Sequence, residues 1–291
     1  RVNHDVLMGR LARRIGDRRL LRLIRRYLVA GVMADGVVVE RYEGTPQGGP
    51  LSPLLANVLL DEVDQELERR GHAFVRYADD LRVYVGSQKA GERVMRSLVS
   101  LFGRLRLRIN STKSAVDRAW HRPFLGFCFW AARGGNVRPR VSGQSLVRMK
   151  DRVRQITSRS GGRNLTQVSQ ELREYLLGWK GYFQLADTPR VFRELDEWIR
   201  HRLRAIQLKH WKRGRTVYRE LRVRGMSRTA AAKVAANARR WWRNSAMAIN
   251  FALPSNYFEG LGVPRLASCP QLDEPPGADP HAGVVWEGKP S

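Results

Sequence analysis

Negative charge is what this sequence has least of. Its 291 residues carry 27 Asp and Glu against 53 Lys and Arg, a formal net charge of +26. A surface that is merely well solvated would hold that figure near zero. The excess calls for a polyanionic partner, with nucleic acid the first candidate and an anionic membrane the second. Long apolar runs are also missing. No stretch approaches the 18 or so residues of a spanning helix, and no signal peptide opens the chain, so no membrane is expected among the partners. Only two cysteines occur, Cys128 and Cys269, far apart and without metal-ligand spacing. That excludes a disulfide scaffold and a zinc site and fits a reducing cytoplasm. There is no internal repeat. The charge that is present is unevenly placed: Ala131 to Asn250 holds 28 Lys and Arg against 8 Asp and Glu.

Two characters follow one another along the chain. Residues 5–29 predict two short amphipathic helices, with Leu7, Leu11 and Ile15 and then Leu20, Leu23, Ile24 and Leu28 recurring at helical steps. Asp5 and Asp17 are the expected N-caps. "VVVERYEG" (37–44) is strand-like, and "GTPQGGP" (44–50) is a Gly/Pro loop. Residues 52–71 predict a helix with Ser52 as N-cap, Pro53 at its first position and Gly71 at its end. "FVRYADDLRVYV" (74–85) predicts two strands closely joined at Ala78–Asp80. A helix over 90–107 follows, then short strands in "LRINSTKSAV" and "RPFLGFCFW". Strands and helices alternate to about residue 130, an α+β pattern with an antiparallel sheet.

Beyond "RGGNVRPR" the pattern becomes all-helical. Four apolar stripes are expected: Leu146–Met149–Val153–Ile156; Leu172–Tyr175–Trp179–Tyr182–Phe183; Phe192–Leu195–Trp198–Ile199–Leu203–Ile206; and Ala231–Val234–Ala238–Trp241–Ala246–Ile249. "TSRSGGRNLT" (157–166) reads as a flexible loop. The Pro-rich segment 268–291 reads as disordered.

The chemistry concentrates in Asp79 and Asp80, two like charges in a run of aromatic and β-branched residues. One reading makes them solvated turn residues, although a turn usually brings Gly or Asn and neither is adjacent. The other makes them ligands of divalent cations, which offset the repulsion between neighbouring carboxylates. Mg²⁺ takes one or two carboxylates plus substrate phosphates. Two such ions about 4 Å apart stabilise the attacking and leaving oxygens of phosphoryl transfer.

"YADD" in a hairpin after "TPQGGPLSP" resembles the palm of reverse transcriptases. "LRINSTKS" and "FLGF" (124–127) follow in that family's order. "GTPQGGPLSPLLANVLLDEVD" with "FVRYADD" is similar to the group II intron-encoded branch. "LGWKGYFQLADTPRVFRELDEWIRHRLRAIQLKHWKR" and "ALPSNYFEGLGVPRLA" resemble its maturase region. The resemblance implies a partial right-hand palm over 1–135 and an all-α thumb and maturase-specific domain over 136–267. It implies RNA-directed DNA polymerisation with two Mg²⁺ ions, together with splicing assistance to the intron RNA. A polymerase-inactive chain that serves only as an RNA-binding splicing cofactor is the alternative. Implied partners are a group II intron RNA, an RNA template with DNA primer, dNTPs and a second copy in a homodimer. The expected location is the cytoplasm of a bacterial-type cell, within a nucleoprotein.

Residue by residue, the resemblance makes Asp79 and Asp80 catalytic metal ligands, with Asp79 the surer of the two. It puts Tyr77 and Ala78 at the primer end, and Gln47, Gly48 and Gly49 against template and incoming nucleotide. Lys113 neutralises triphosphate charge, and Phe124, Leu125 and Gly126 form a primer grip. Basic residues of the helical part would hold RNA phosphates: Arg148, Arg152, Arg154, Lys209, Lys212, Arg213, Arg239, Arg240 and Arg243. In "RRWWR", Trp241 falls in a core stripe, while Trp242 is placed to stack on an unpaired base. The family's fingers and the third palm carboxylate are expected just ahead of Arg1, with Asp5 a helix cap rather than a substitute. On this reading the chain alone is expected to polymerise weakly or not at all. No Cys/His set for a C-terminal nuclease is seen.

Overall fold

The computed structural model describes residues 2–30, 32–34, 37–39, 51–131, 136–246 and 249–267. The chain divides into two compact units, Arg1–Leu125 and Gly126–Ser291. Both are mostly helical. Small antiparallel sheets, each of two strands, complete an α+β architecture.

In the first unit, helices α1 (His4–Ala12) and α2 (Arg18–Val29) precede the short hairpin β1 (Val32–Ala34) and β2 (Val37–Val39). Helix α3 (Ser52–Arg69) leads into β3 (Ala73–Tyr77), β4 (Asp80–Tyr84) and α4 (Gln88–Arg104). Leu7, Leu11, Leu28, Leu55, Leu59, Val63, Leu67, Leu101 and Leu105 form the core. Each buried leucine or valine contributes about 1.5–3 kcal/mol. Asp17 caps α2 through the backbone N–H groups of Arg19 and Leu20. Gly71, at φ +70°, ends α3. The Gly71 N–H donates to Glu68 and that of His72 to Leu67, closing the last turn in the left-handed way glycine permits.

Three local expectations are corrected here. The cap of α1 is Asn3, whose Oδ1 accepts from the N–H groups of Asp5 and Val6. Asp5 is the second residue of the helix, in its first turn, and pairs with Arg25 at 2.7 Å. Helix α3 is preceded by Leu51, which gives no side-chain cap, and Ser52 is already helical. "LRINSTKSAV" is no strand. Asn110 Oδ1 accepts from the N–H groups of Thr112 and Lys113 and from the Thr112 hydroxyl at 2.6 Å. That side-chain turn competes with extended backbone.

The second unit opens with the hairpin β5 (Phe127–Ala131) and β6 (Val137–Val141), in register Phe127↔Val141. Its division from the first unit falls ahead of residue 135 because this hairpin packs with the helices. Phe127 lies 5.0 Å from the Phe183 ring centroid, and the Pro139 carbonyl accepts from Asp187 N–H. Helices α5 (Gly143–Ile156), α6 (Leu165–Phe183) and α7 (Pro189–Trp211) carry the first three apolar stripes. Met149, Val153, Leu172, Leu176, Ile199 and Leu203 are fully buried, whereas Tyr182 is exposed. The stretch 157–166 is pinned rather than loose. Arg163 donates to the Ile156 carbonyl at 2.8 Å and pairs with Glu171, and Asn164 forms a capping box with Gln167.

The fourth stripe is not one helix. It is cut into α9 (Arg228–Ala236), α10 (Trp241–Ser245) and α11 (Ile249–Ala252), which follow α8 (Gly214–Val223). The α9 cap at Asn237 and a turn from Asn237 to Arg240 interrupt it, and Ala246 is exposed. The last helix, α12 (Ser255–Gly260), and the residues after it are tied to α7. Arg200 donates to the carbonyls of Val263 and Pro264, Arg204 to that of Leu253, and Asp196 accepts from Leu266 and Ala267 N–H. Burial pushes the Arg200 and Arg204 guanidinium pKa values down. The expected disordered segment 268–291 lies outside the described residues.

Candidate active site and nucleic-acid interface

Strands β3 and β4 pair from Ala73↔Tyr84 to Tyr77↔Asp80, leaving only Ala78 and Asp79 in the connection. So short a loop commonly demands a left-handed residue. Ala78 accepts that role at φ +54°, which costs a residue with a Cβ about 1–2 kcal/mol. Arg76 offsets the cost. Its Nη1 donates to the Ala78 carbonyl and to Asn57 Oδ1, both at 2.8 Å, and its Nε donates to Asp64 Oδ1 at 2.8 Å. The hydrogen bonds it donates to Asp64, above all, hold the Arg76 pKa up. The turn is thereby clamped to α3.

The clamp presents Asp79 exposed and Asp80 half-exposed, beside Tyr77 with 63% of its surface open. Arg82 Nη1 stands 3.1 Å from Asp80 Oδ1. The same guanidinium donates to the Pro123 carbonyl at 3.1 Å and covers the Phe124 ring at 5.7 Å. A carboxylate of the hairpin is thus linked to the start of "FLGF". Leu125 and Gly126 both have left-handed backbone, at φ +49° and +81°. The Gly126 carbonyl accepts from Ser142 N–H and the Ser145 hydroxyl.

Asp79 and Asp80 are hard oxygen donors at an open tip, a donor set that suits Mg²⁺ completed by waters and phosphates. Among the described residues, no group of three or more His, Cys, Asp or Glu is close enough to hold a metal ion by itself. Lys113 is exposed on the Asn110 turn, and no hydrogen bond or ion pair joins it to the hairpin. Gln47, Gly48 and Gly49 lie outside the described residues.

The cationic residues of the second unit are largely on its surface. Arg148, Arg152 and Arg154 are exposed on α5, opposite its buried stripe. Arg154 pairs with Asp151 at 2.5 Å, and Arg152 approaches Glu171 at 3.8 Å. Lys212, Arg213, Arg239, Arg240 and Arg243 are exposed. Lys209 is engaged internally, donating to the Arg159 carbonyl and lying over the Trp241 ring. Trp241 packs against the core. Trp242 is 42% exposed. Sequence reasoning gave no role to Asp64, Arg76 and Arg82, although all three lie within the quoted stretches, because their partners are set by packing. It also missed Arg159, Trp198, His201 and Arg202, whose association needs α5, α7 and α10 side by side.

Comparisons with known proteins bear on the family. Residues 1–129 match the family model for reverse transcriptase (RNA-dependent DNA polymerase), and residues 146–225 match that for the group II intron maturase-specific domain. Protein YkfC of Escherichia coli is 29% identical over 215 residues, 61% of this chain and 55% of that protein. The group II intron-encoded protein LtrA of Lactococcus lactis is 42% identical over 64 residues, 22% of this chain and 11% of LtrA. A retron reverse transcriptase of Escherichia coli is 36% identical over 76 residues, 25% of this chain and 24% of its own. These matches define a reverse-transcriptase segment followed by a maturase-specific helical segment. The chain thus contains a segment matching reverse transcriptases, followed by a segment matching the group II intron maturase-specific domain, and it is similar to group II intron-encoded proteins. It matches about half the length of YkfC. Among the described residues, no helix is long and apolar enough to cross a membrane.

Proposed function

We propose that this chain carries the catalytic hairpin and the RNA-holding helices of a group II intron RNA-directed DNA polymerase. The observation that carries the reading is the clamped two-residue turn, which displays Asp79 and Asp80 beside an open Tyr77. The first unit serves as palm and the second as thumb and maturase region. When bound, two Mg²⁺ ions would supply charge stabilisation at the attacking and leaving oxygens of nucleotidyl transfer. Asp79 holds metal and Asp80 shares or shapes that site. Arg82 keeps the Asp80 carboxylate oriented. Tyr77 and Ala78 meet the primer end, and Phe124 to Gly126 steady it. Gln47 to Gly49 face template and nucleotide, and Lys113 faces the triphosphate. The exposed arginines of α5, with Lys212, Arg213, Arg239, Arg240 and Arg243, grip RNA phosphates without reading sequence. dNTPs, a primed RNA template, the intron RNA and a second copy of the chain are the partners this reading requires.

Primer extension on an RNA template tests it. The chain alone should give weak synthesis or none, any Mg²⁺-dependent synthesis should be abolished by Asp79→Ala, and synthesis unaffected by Asp79→Ala overturns the reading. The concentration of charge between Ala131 and Asn250 favours splicing assistance as a second activity. An intron-splicing assay separates the two. The Asp79→Ala, Asp80→Ala double variant should splice normally, because the basic surface is intact.

A further inference from the structure

Three indoles and a set of cations are interleaved where α5, α7 and α10 meet. Trp198 lies under two guanidinium groups, Arg154 at 5.7 Å and Arg202 at 5.3 Å. Trp241 lies under Arg159 at 5.8 Å and Lys209 at 5.5 Å. Trp242 stacks on the imidazole of His201 with centroids 3.8 Å apart and planes 25° apart, and His201 Nε2 is 2.9 Å from the Trp242 carbonyl. The imidazole covers one face of Trp242, and 42% of the residue stays open to solvent.

The cations are not balanced. Arg154 has Asp151, but among the described residues neither Arg159 nor Arg202 has an acidic partner. Arg202 is half-buried, held by the Thr157 hydroxyl at 2.5 Å and by the carbonyls of Arg154 and Thr157. Its charge is disfavoured first by burial and then by Arg159 and Arg154 themselves. Like charges gathered on a partly dry surface without a counter-ion are costly unless an anion completes them. The planar guanidinium fork matches a phosphate. An exposed indole takes a base only when that base is unstacked, and Trp242 stacks on His201, the neighbour of Arg202 in α7.

We propose that Arg154, Arg159, Arg202 and the open face of Trp242 form one binding site for an unpaired polynucleotide strand. A phosphate sits among the guanidinium groups and the neighbouring base lies on the indole. This rests on the RNA-binding reading above and narrows it from backbone contact in general to single-strand capture at one place. His201 is a positioning residue, since it fixes the plane of Trp242 from behind.

The test uses the full chain and three fluorescein-labelled probes: a twelve-nucleotide oligouridylate, its deoxy counterpart and a twelve-base-pair RNA duplex, all followed by anisotropy. Trp242→Ala should weaken the single strand at least about fivefold and leave the duplex within twofold. Arg159→Gln should lower the salt slope for the single strand by about 0.7, one phosphate contact, and Arg202→Gln likewise. Arg190→Gln, on an exposed arginine elsewhere, is the charge-matched control. Trp242→Ala and Arg159→Gln alter exposed side chains, so they carry the test if Arg202→Gln fails to fold. Tighter binding of the oligouridylate names RNA as the source of the strand, and tighter binding of its deoxy counterpart names DNA. Variants indistinguishable from Arg190→Gln, or single strand and duplex weakened alike by Trp242→Ala, overturn the site while leaving general RNA binding intact. A wild-type chain that binds no probe overturns the RNA-binding reading as well.

Discussion

The Arg76 guanidinium bonds both carboxylate oxygens of Asp64, with Nε at 2.8 and 3.0 Å, and in the same pose holds the carbonyl of Ala78. The left-handed turn that displays Asp79 and Asp80 is therefore braced from α3, twelve residues earlier in sequence than Arg76. Asp64→Ala should cost about 2 kcal/mol, since charge-assisted hydrogen bonds to a mostly buried guanidinium are lost. Chemical denaturation reads this directly, and a loss under about 0.5 kcal/mol would contradict the bracing role.

Gly126 is required twice. Its backbone is left-handed, and a Cβ there would stand 2.9 Å from Ser145 Oγ and 3.2 Å from the Phe183 ring. Gly126→Ala should destabilise by about 2–4 kcal/mol, combining backbone strain with overpacking. Thermal melting of the variant is the measurement. An unchanged midpoint would show that the ring and hydroxyl give way freely.

Arg82 links Asp80 to Pro123 and Phe124 through half-exposed contacts. Such a pair contributes less than about 1 kcal/mol, so Arg82→Ala should leave global stability nearly intact. Its effect should be local. Backbone amide exchange at Phe124 and Leu125 should speed up, and unchanged exchange there would argue against the link.

Acid should lower the stability of the chain modestly, because the carboxylates concerned are exposed and screened by solvent. Hydrogen bonds from Arg69 and Arg70 lower the Glu66 carboxyl from 4.5 to about 2. Asp117 is lowered first by the Arg118 N–H, and Glu220 first by Arg224. For each, the folded value lies below the unfolded one. The stability they contribute is present above the ordinary carboxylate range and is lost as pH falls through the lowered values, for Glu66 from about 4.5 down to 2. Glu66→Gln should flatten the acid limb of a stability–pH curve and change little at neutral pH. An identical acid limb in wild type and variant would refute the assignment.

Much was legible from local pattern. A run of aromatic and β-branched residues about Ala78–Asp80 predicted β3 and β4, and apolar steps of three and four predicted α5, α6 and α7, because those signals act within one turn or one strand pair. Expectations failed where a side chain outcompeted the pattern. Asn110 turned a strand-like run into a side-chain-bonded turn, Asn3 took the cap assigned to Asp5, and the turn after Asn237 broke a stripe into separate helices.

What the amino-acid sequence determined by itself was composition and periodicity: the surplus of cations, the paired carboxylates in a hairpin and the helical stripes that bury one face. These follow from charge and from side-chain spacing along a regular backbone, so no fold is needed to read them. The tertiary structure alone decided which distant groups complete one another. Arg76 with Asp64, Arg82 with Pro123, and Arg202 with Thr157 beside Arg159 are associations of a few ångströms. Their energy falls away steeply with distance, so they exist only once packed elements bring their side chains within reach.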